Sequence, residues 1–331
     1  MESNYQIRRA ELEDKDNIIR FVNLEWKKAQ TLNDDKLFAY YFADSDKLNF
    51  VIAVKNNEIV ATCGFIKAAG QDIWGSSWLI KKGEKPTLFF QLMKFFEEEG
   101  FTIWGLNPEP YTKELYRILG FEISKLNHFY KLFDKEEYKI ATIREKQIRS
   151  NWSDRYKVIE LHSEAILKEK INDAIFEKQK PKKSCDYMIK RYYRFPYPQY
   201  QYRVWAIETS KGIISTLFVT REQTVEGEKI LRIVDIIGSE NELTGIGKFF
   251  EEQGEMNDYE YIDCWCLGIS DEVLESLGFV KCDNSVNIIP DRLEPLEKQN
   301  EEICFVYKNM PGVRGFRADG DMDRPNIWFK N

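Results

Sequence analysis

Hydrophobic and polar positions follow one order of strands and helices in the first part of the chain. Alternating apolar residues predict strands, and apolar residues three or four positions apart predict helices. The predicted strands are residues 5–9, 50–54, 59–66, 73–80, 102–106 and 128–133, and the predicted helices are residues 14–27, 88–99 and 111–119. Asn56 and Asn57 separate two of these strands, which favours a hairpin because asparagine tolerates the positive φ angles of a tight turn.

The same order of elements recurs in the second part of the chain. Strands are predicted at residues 157–161, 202–208, 213–220, 231–237, 259–266 and 303–308, with helices at 163–176 and 184–193 and before residues 253 and 277. The segment KFFEEEG at 94–100 returns as KFFEEQG at 248–254, and Leu-Gly-Phe at 119–121 returns at 277–279. Matches that keep their order along the chain indicate a duplicated unit.

The length of 331 residues exceeds what one ordinary hydrophobic core requires. We therefore predict two domains, residues 1–140 and 150–331, with a boundary near residues 134–155. Because 43% of the residues are hydrophobic, the chain carries enough apolar surface to fold, and extensive disorder is excluded.

Bulk charge and cysteine usage exclude several classes of protein. The net charge of −7 repels phosphate backbones, which argues against nucleic-acid binding. No apolar run reaches the roughly 18 residues that cross a bilayer, and the start has no signal-peptide core, so we expect a cytoplasmic protein without membrane contacts. In a cytoplasmic protein the six cysteines are expected to be reduced thiols and not disulfides. Cys264 and Cys266 share a strand face, but neither histidine has ligand spacing, so no metal is expected. The oligomeric state is left open.

The element order of each half resembles the GNAT acyltransferase fold. The most specific match is LYRILGF at residues 115–121, which is similar to the LYxxxGF segment of that family. The resemblance implies two tandem α/β (α+β) domains, each with a mixed, mostly antiparallel sheet flanked by helices. It also implies acetyl-CoA or another acyl-CoA as co-substrate and a small-molecule acceptor.

The second half is similar, more narrowly, to GNAT-like proteins of bacterial surface-polysaccharide gene clusters. The segments that carry this likeness are Arg191-Tyr192, PQYQY at 198–202, Ile289-Pro290, Glu294-Pro295 and ADGDMDRPN at 318–326. The resemblance implies polysaccharide biosynthesis, with an amino sugar or a nucleotide sugar as the acceptor.

The loop before the helix at 88–99 is the candidate cofactor site. In the family, a glycine-containing loop at this place holds the coenzyme pyrophosphate through free amides at the helix N-terminus. The residues that we predict to bind the cofactor are Lys81, Lys82, Gly83, Lys85 and Thr87, with a plain solvated loop as the alternative. Phe89 replaces one of the small residues of the family, and its ring would block the approach if it faced the loop.

A second glycine pair, Gly245 and Gly247, superficially mimics that loop in the other half. The KFFEE repeat aligns these glycines with Gln91 and Met93, which lie inside the predicted helix at 88–99 of the first half. Ser239 and Glu242 read as a capping box that would begin a helix directly after the strand. We therefore interpret the glycine pair as structural.

Candidate catalytic groups follow from the resemblance and from acids in apolar strands. The family likeness implies that Tyr116 protonates the departing thiolate, with simple packing as the alternative. Leu274 takes its place in the repeat and cannot donate a proton, which favours the first half as the active one. Asp235 is a candidate base for the acceptor amine and Asp263 a candidate substrate ligand, because a buried carboxylate is costly unless paired or functional. The alternative is a structural ion pair between Arg232 and some nearby acid on the other face of the strand from Asp235.

The chain end and a tyrosine-rich segment offer further candidate contacts. The aspartates of DGDMDRPN fail the calcium-loop pattern, since glycine stands at loop position 2 and arginine at position 6. Arg317 and Arg324 are predicted to bind a phosphate or carboxylate of the substrate. A strap docking through Trp328 and Phe329 is the alternative. Tyr200 belongs to a tyrosine run that would stack on a sugar, although core packing is the common fate of such rings.

These features predict an acyl-CoA-dependent N-acyltransferase in which the acceptor amine attacks the thioester directly. No covalent enzyme intermediate is expected, because the amine attacks the thioester without an enzyme nucleophile. Two alternatives stay open. One is a catalytically silent GNAT-like binding or scaffold protein, and the other is a tRNA-dependent aminoacyl transferase of the crossbridge type, against which the acidic charge argues.

Overall fold

A computed structural model describes residues 5–26, 31–283 and 285–325 of the chain. The strands are β1 Gln6–Glu11, β2 Ala43–Asp44, β3 Lys47–Lys55, β4 Glu58–Lys67, β5 Asp72–Ile80, β6 Thr102–Leu106, β7 Glu122–Lys125, β8 Asn127–Leu132, β9 Lys157–Glu160, β10 Tyr202–Glu208, β11 Ile214–Val225, β12 Glu228–Gly238, β13 Tyr261–Leu267, β14 Val280–Lys281, β15 Cys304–Tyr307 and β16 Gly315–Phe316. The α-helices are α1 Lys15–Glu25, α2 Asp35–Phe42, α3 Leu88–Glu98, α4 Pro110–Ile118, α5 Glu164–Lys170, α6 Cys185–Met188, α7 Gly247–Asn257 and α8 Asp271–Ser276. Most predicted elements are present, whereas α2 was missed.

The first compact unit is built on a mixed sheet with the order β1-β3-β4-β5-β6-β15-β7. Neighbouring strands from β1 to β5 are antiparallel, and β5 and β6 are parallel. The hairpin between β3 and β4 turns at Asn56 and Asn57, whose φ angles are 51° and 63°, as the sequence predicts. Helices α3 and α4 bury Leu88, Phe96 and Leu115 against one face of this sheet.

The second compact unit repeats the arrangement with the order β9-β10-β11-β12-β13-β8-β14. Strands β12 and β13 are parallel, and β8 runs antiparallel to β13. Helices α7 and α8 cover one face through Phe250 and Leu274. The fold therefore consists of two GNAT-like α/β units, each with a mixed sheet flanked by helices.

Each sheet contains one strand that comes from the other part of the sequence. Residues 127–132, expected as the last strand of the first half, pair with residues 261–266 in the second unit. Residues 304–307, expected in the second half, pair with β6 in the first unit. The predicted placement of both strands is wrong, because alternation predicts that a segment is a strand but carries no information on its partner.

The compact units differ accordingly from the predicted domains 1–140 and 150–331. The first comprises residues 1–124, 304–309 and 320–331, and the second comprises 125–303 and 310–319. Within the predicted boundary region, Ile140 and Ala141 are buried. Their amides donate to the carboxylate of Glu260 at 3.0 and 2.6 Å, so this stretch is part of the second unit.

Candidate functional site

The parallel strands of the first unit separate at a pair of glycines. Residues 72–75 of β5 pair with 102–105 of β6, and the last pair is Gly75 with Gly105. Beyond this point a bulge at Ser77, whose φ is 52°, shifts the register against β4. No described strand pairs with residues 76–80 on the β6 side, and these residues are half-buried. We call this place the first fork.

Tyr116 lies at the apex of the first fork. A Cβ atom placed on Gly75 would be 3.2 Å from the Tyr116 hydroxyl oxygen, and one on Gly105 would be 3.7 Å from it. The residue is 1% exposed, and burial raises its pKa well above the ordinary value, so the hydroxyl keeps its proton at neutral pH. Among the described residues it has no hydrogen-bond partner.

Two further aromatic rings pack against the Tyr116 ring. Trp78 and Phe89 contact the Tyr116 ring with centroid distances of 6.2 and 5.7 Å. Phe89 is 2% exposed and therefore points into the core instead of the loop before α3. Its ring does not cover that loop, which removes the obstacle raised by its size.

The loop of the predicted cofactor residues is exposed over much of its length. Lys82, Gly83, Lys85 and Thr87 are exposed, and Lys81 is half-buried. Within residues 5–26, 31–283 and 285–325, the amides of Gly83, Lys85 and Thr87 have no hydrogen-bond acceptor. Such amides before a helix are suited to an anion.

Other groups of this loop are already engaged. The Lys82 amide donates to a Glu25 carboxylate oxygen at 3.2 Å. The ammonium of Lys81 pairs with Glu58 at 2.9 Å, and this contact raises the pKa of Lys81. The carboxylate of Glu84, in the same loop, accepts from Lys55 at 2.9 Å, which adds a negative charge beside the lysines.

The corresponding fork of the second unit is closed by the chain itself. Residues 230–233 of β12 pair with 261–264 of β13, after which the strands separate. Into this gap runs β16, where Phe316 pairs with Cys266, and the Ala318 amide donates to the Val234 carbonyl at 3.0 Å. Phe316 and Ala318 are fully buried. The edge that is open in the first unit is thus bonded here.

The N-terminus of α7 is also covered. This helix begins at Gly247, so Gly245 and Gly247 lie at its start, and the interpretation that they lie inside it is wrong. A Cβ at Gly247 would be 2.4 Å from Asn151, and one at Gly245 would be 2.4 Å from Tyr156. These glycines therefore allow residues 151–156 to pass closely over the helix end.

Asp235 belongs to a buried polar cluster of the second unit. Its carboxylate accepts from the Lys183 ammonium at 2.6 Å and from the Tyr192 hydroxyl at 2.5 Å. The same ammonium lies 3.1 Å from Asp319. Burial alone would lower the pKa of Lys183, but the two carboxylates more than offset it, so this pKa is raised. Burial, with the repulsion of Asp235, raises the pKa of Asp319 to about 6 against the pull of Lys183.

Asp263 lies in a second buried cluster of the same unit. Its carboxylate is 3.2 Å from the Arg232 guanidinium and 3.3 Å from His128. Arg317 pairs with Asp291 at 2.9 Å, and Asp291 lies 3.6 Å from Arg232. The structural alternative, an ion pair between Arg232 and a nearby acid, is therefore made with Asp263.

The remaining predicted contacts are also engaged within the chain. Tyr200 is 6% exposed, with the Arg221 guanidinium 4.3 Å from its ring centre. Arg324 contacts Asp321 at 3.3 Å. Trp328 and Phe329 lie outside the described residues. The structure thus places Tyr116 and the cofactor loop in the first unit, and Asp235, Asp263, Arg317 and Tyr200 in the second.

The described ranges contain neither a metal-binding cluster nor a membrane-spanning helix. There, no group of three or more His, Cys, Asp or Glu side chains is arranged to hold a metal ion. None of the helices in this part of the chain has the length and apolar character that spanning a bilayer requires.

Comparison with known proteins defines the class of fold. The chain is similar to a solved GCN5-related N-acetyltransferase from Anabaena variabilis, with a TM-score of 0.58 and 10% identity over 92% of this chain and 73% of that one. It is also similar to a conserved protein of unknown function from Enterococcus faecalis, described as a probable N-acyltransferase, with a TM-score of 0.54, 9% identity and the same coverages.

At these identities the likeness shows the fold, which is that of tandem GNAT-like proteins. No family model matches the sequence. No curated protein matches it either.

Proposed function

We propose that this chain is an acyl-CoA-dependent N-acyltransferase whose reaction takes place at the first fork. The observation that carries the proposal is the Tyr116 hydroxyl, which has no partner among the described residues and lies where β5 and β6 separate. A thioester extended along the unpaired edge of β5 would bring its sulfur to this hydroxyl. The acceptor amine would then attack the carbonyl carbon, the C–S bond would break, and Tyr116 would protonate the thiolate.

The exposed loop at 81–87 supports the placement of the coenzyme. In the proposal, the amides of Gly83, Lys85 and Thr87 hold the pyrophosphate, and Lys82 and Lys85 add positive charge. A pyrophosphate would replace the Glu25 carboxylate on the Lys82 amide, since both are anions. Acetyl-CoA is the co-substrate that we propose, with an amino sugar or nucleotide sugar as the acceptor.

In this proposal the second unit has a structural or acceptor-binding role. Its fork is bonded by residues 315–318, the start of α7 is covered by residues 151–156, and Leu274 stands in place of Tyr116. The carboxylates of Asp235 and Asp263 are held by Lys183 and Arg232. These contacts favour a structural role for both aspartates over general base or substrate contact.

The test combines binding and turnover. Calorimetry with acetyl-CoA is expected to show binding, and release of free coenzyme A in the presence of D-glucosamine or other primary amines reports transfer. Tyr116→Phe is expected to lower kcat by about 10²-fold or more, as for loss of a general acid, with acetyl-CoA affinity nearly unchanged. Tyr111→Phe is the matched control, because Tyr111 lies on the same helix and is 58% exposed.

Each contrary outcome identifies a rival. No heat and no thermal stabilisation with acetyl-CoA, in an intact folded chain, would favour the catalytically silent scaffold. Tight binding of charged tRNA that weakens steeply with salt would favour aminoacyl transfer. A Tyr116→Phe variant that loses affinity but keeps kcat would show that the hydroxyl is not the acid.

A further inference from the structure

A buried indole N–H without an acceptor lies beside Tyr116 at the first fork. The Nε1 atom of Trp78 is inaccessible and has no hydrogen-bond partner within the described residues. A buried polar group left without a partner costs free energy, so one that lies beside a candidate acid calls for an explanation. Trp78 is half-buried, which leaves part of the residue in contact with solvent.

The position of this N–H is set by the glycine at the end of the paired strands. A Cβ on Gly75 would lie 2.5 Å from Trp78 Nε1 and 3.2 Å from the Tyr116 hydroxyl oxygen. Both polar atoms therefore border the same point above β5. Because a 2.5 Å contact is not sterically possible, only glycine at 75 lets the indole take this place.

We propose that the indole N–H of Trp78 donates a hydrogen bond to the carbonyl oxygen of the bound thioester. The inference rests on the proposed function and adds a residue to it. When the amine nitrogen attacks, the carbonyl oxygen gains negative charge and the indole N–H stabilises it. The C–S bond then breaks as the oxygen returns to a carbonyl, the thiolate takes the proton of Tyr116, and the proton lost by the amine restores that hydroxyl.

The packing of the ring places its N–H and the phenol on the same face of the sheet. Trp78 contacts Phe89 and Phe96 of α3 with ring centroids at 4.8 and 5.9 Å, so the ring is supported from behind. Trp74 and Trp104 also carry buried N–H groups without partners, but they pack with Phe305 on the other face. Trp74 and Trp104 are a matched comparison, because they carry the same indole N–H as Trp78 but lie on the opposite face of the sheet.

The primary measurement is the carbonyl stretching frequency of bound acetyl-CoA labelled with ¹³C at the acetyl carbonyl. A hydrogen bond to this oxygen lowers the frequency, and no acceptor amine is needed to observe it. The variants are Trp78→Phe, Trp104→Phe, and the full-length chain with 3-benzothienylalanine at position 78. The last keeps the ring shape and replaces only the indole N–H by sulfur, so it separates the hydrogen bond from packing.

We expect a higher carbonyl frequency in both position-78 variants and a wild-type frequency in Trp104→Phe. Transfer to D-glucosamine should fall about 10²-fold in kcat in the position-78 variants, as for other oxyanion donors, with KM for acetyl-CoA within a few-fold. A benzothienyl variant with wild-type frequency and kcat would overturn the inference while leaving the proposed function intact. A wild-type chain that does not bind acetyl-CoA would overturn both.

Discussion

Protonation of Asp319 should make the second unit more stable in mild acid than at neutral pH. This carboxyl is fully buried beside Lys183 and Asp235, and its pKa is raised from 3.8 to about 6. A carboxyl with a raised pKa binds its proton more tightly in the folded state than in the unfolded state. The free energy of unfolding therefore falls as pH rises between about 4 and 6, and it is level with respect to this group above that range.

The size of the effect follows from the shift. About two pKa units correspond to about 3 kcal/mol, spread over that pH interval. Asp319→Asn keeps the shape of the side chain and removes the ionisation, so the variant should lose this slope. At pH 7 it should be at least as stable as the wild type, because Asn leaves one buried carboxylate facing the single ammonium of Lys183.

The assay is urea unfolding followed by far-ultraviolet circular dichroism at several pH values from 4.5 to 7.5. Hydrogen exchange of the Ala318 amide, which donates to Val234, reports the same site locally. Asp321→Asn is the control, since Asp321 is a half-buried tail carboxylate paired with Arg324. An Asp319→Asn variant that keeps the full wild-type slope would refute the reasoning and place the proton uptake on another group.

Two further substitutions test the packing of the second unit. Glu260→Gln removes the charge that accepts from the Ile140 and Ala141 amides. Urea unfolding should show that the free energy of unfolding falls by about 1.5–3 kcal/mol, and hydrogen exchange at residues 139–141 should become faster. Unchanged exchange would mean that these bonds do not hold the segment. Gly268 has a φ of 77°, and a Cβ atom placed on it would be 2.2 Å from the Val313 carbonyl oxygen. Gly268→Ala should therefore lower the midpoint of thermal unfolding more than Gly83→Ala, because Gly83 has a positive φ but open space and bears a strain of only about 1–2 kcal/mol. Equal losses would show that the clash is relieved.

Local pattern predicted the elements well and their partners poorly. The positions of α3 and α4 were predicted to within a residue or two, because caps and apolar spacing are local signals. The KFFEE match misled, since Lys94 is the seventh residue of α3 whereas Lys248 is the second of α7. The start of α7 depends on residues 151–156, which pack over its end, and no local sequence pattern records such a contact.

The asymmetry of the candidate sites was predicted only in part. Leu274 opposite Tyr116 was visible in the sequence and pointed to the first unit. The closure of the second fork by residues 315–318 was not, because these residues lie far along the chain from β12 and β13. Trp78 gave no signal either, since its role depends on a neighbouring glycine and a bulge that only the folded sheet defines.

The exchanged strands set an order of events during synthesis. The first unit's sheet needs residues 304–307 between β6 and β7, so it stays incomplete until synthesis has passed residue 307, long after β6 and β7 have been made. An open sheet edge that persists for that long invites wrong pairing with other chains. A fragment that stops at residue 140 would carry this gap permanently, so cutting the chain at the middle of its sequence is expected to give two aggregating halves instead of two folded domains.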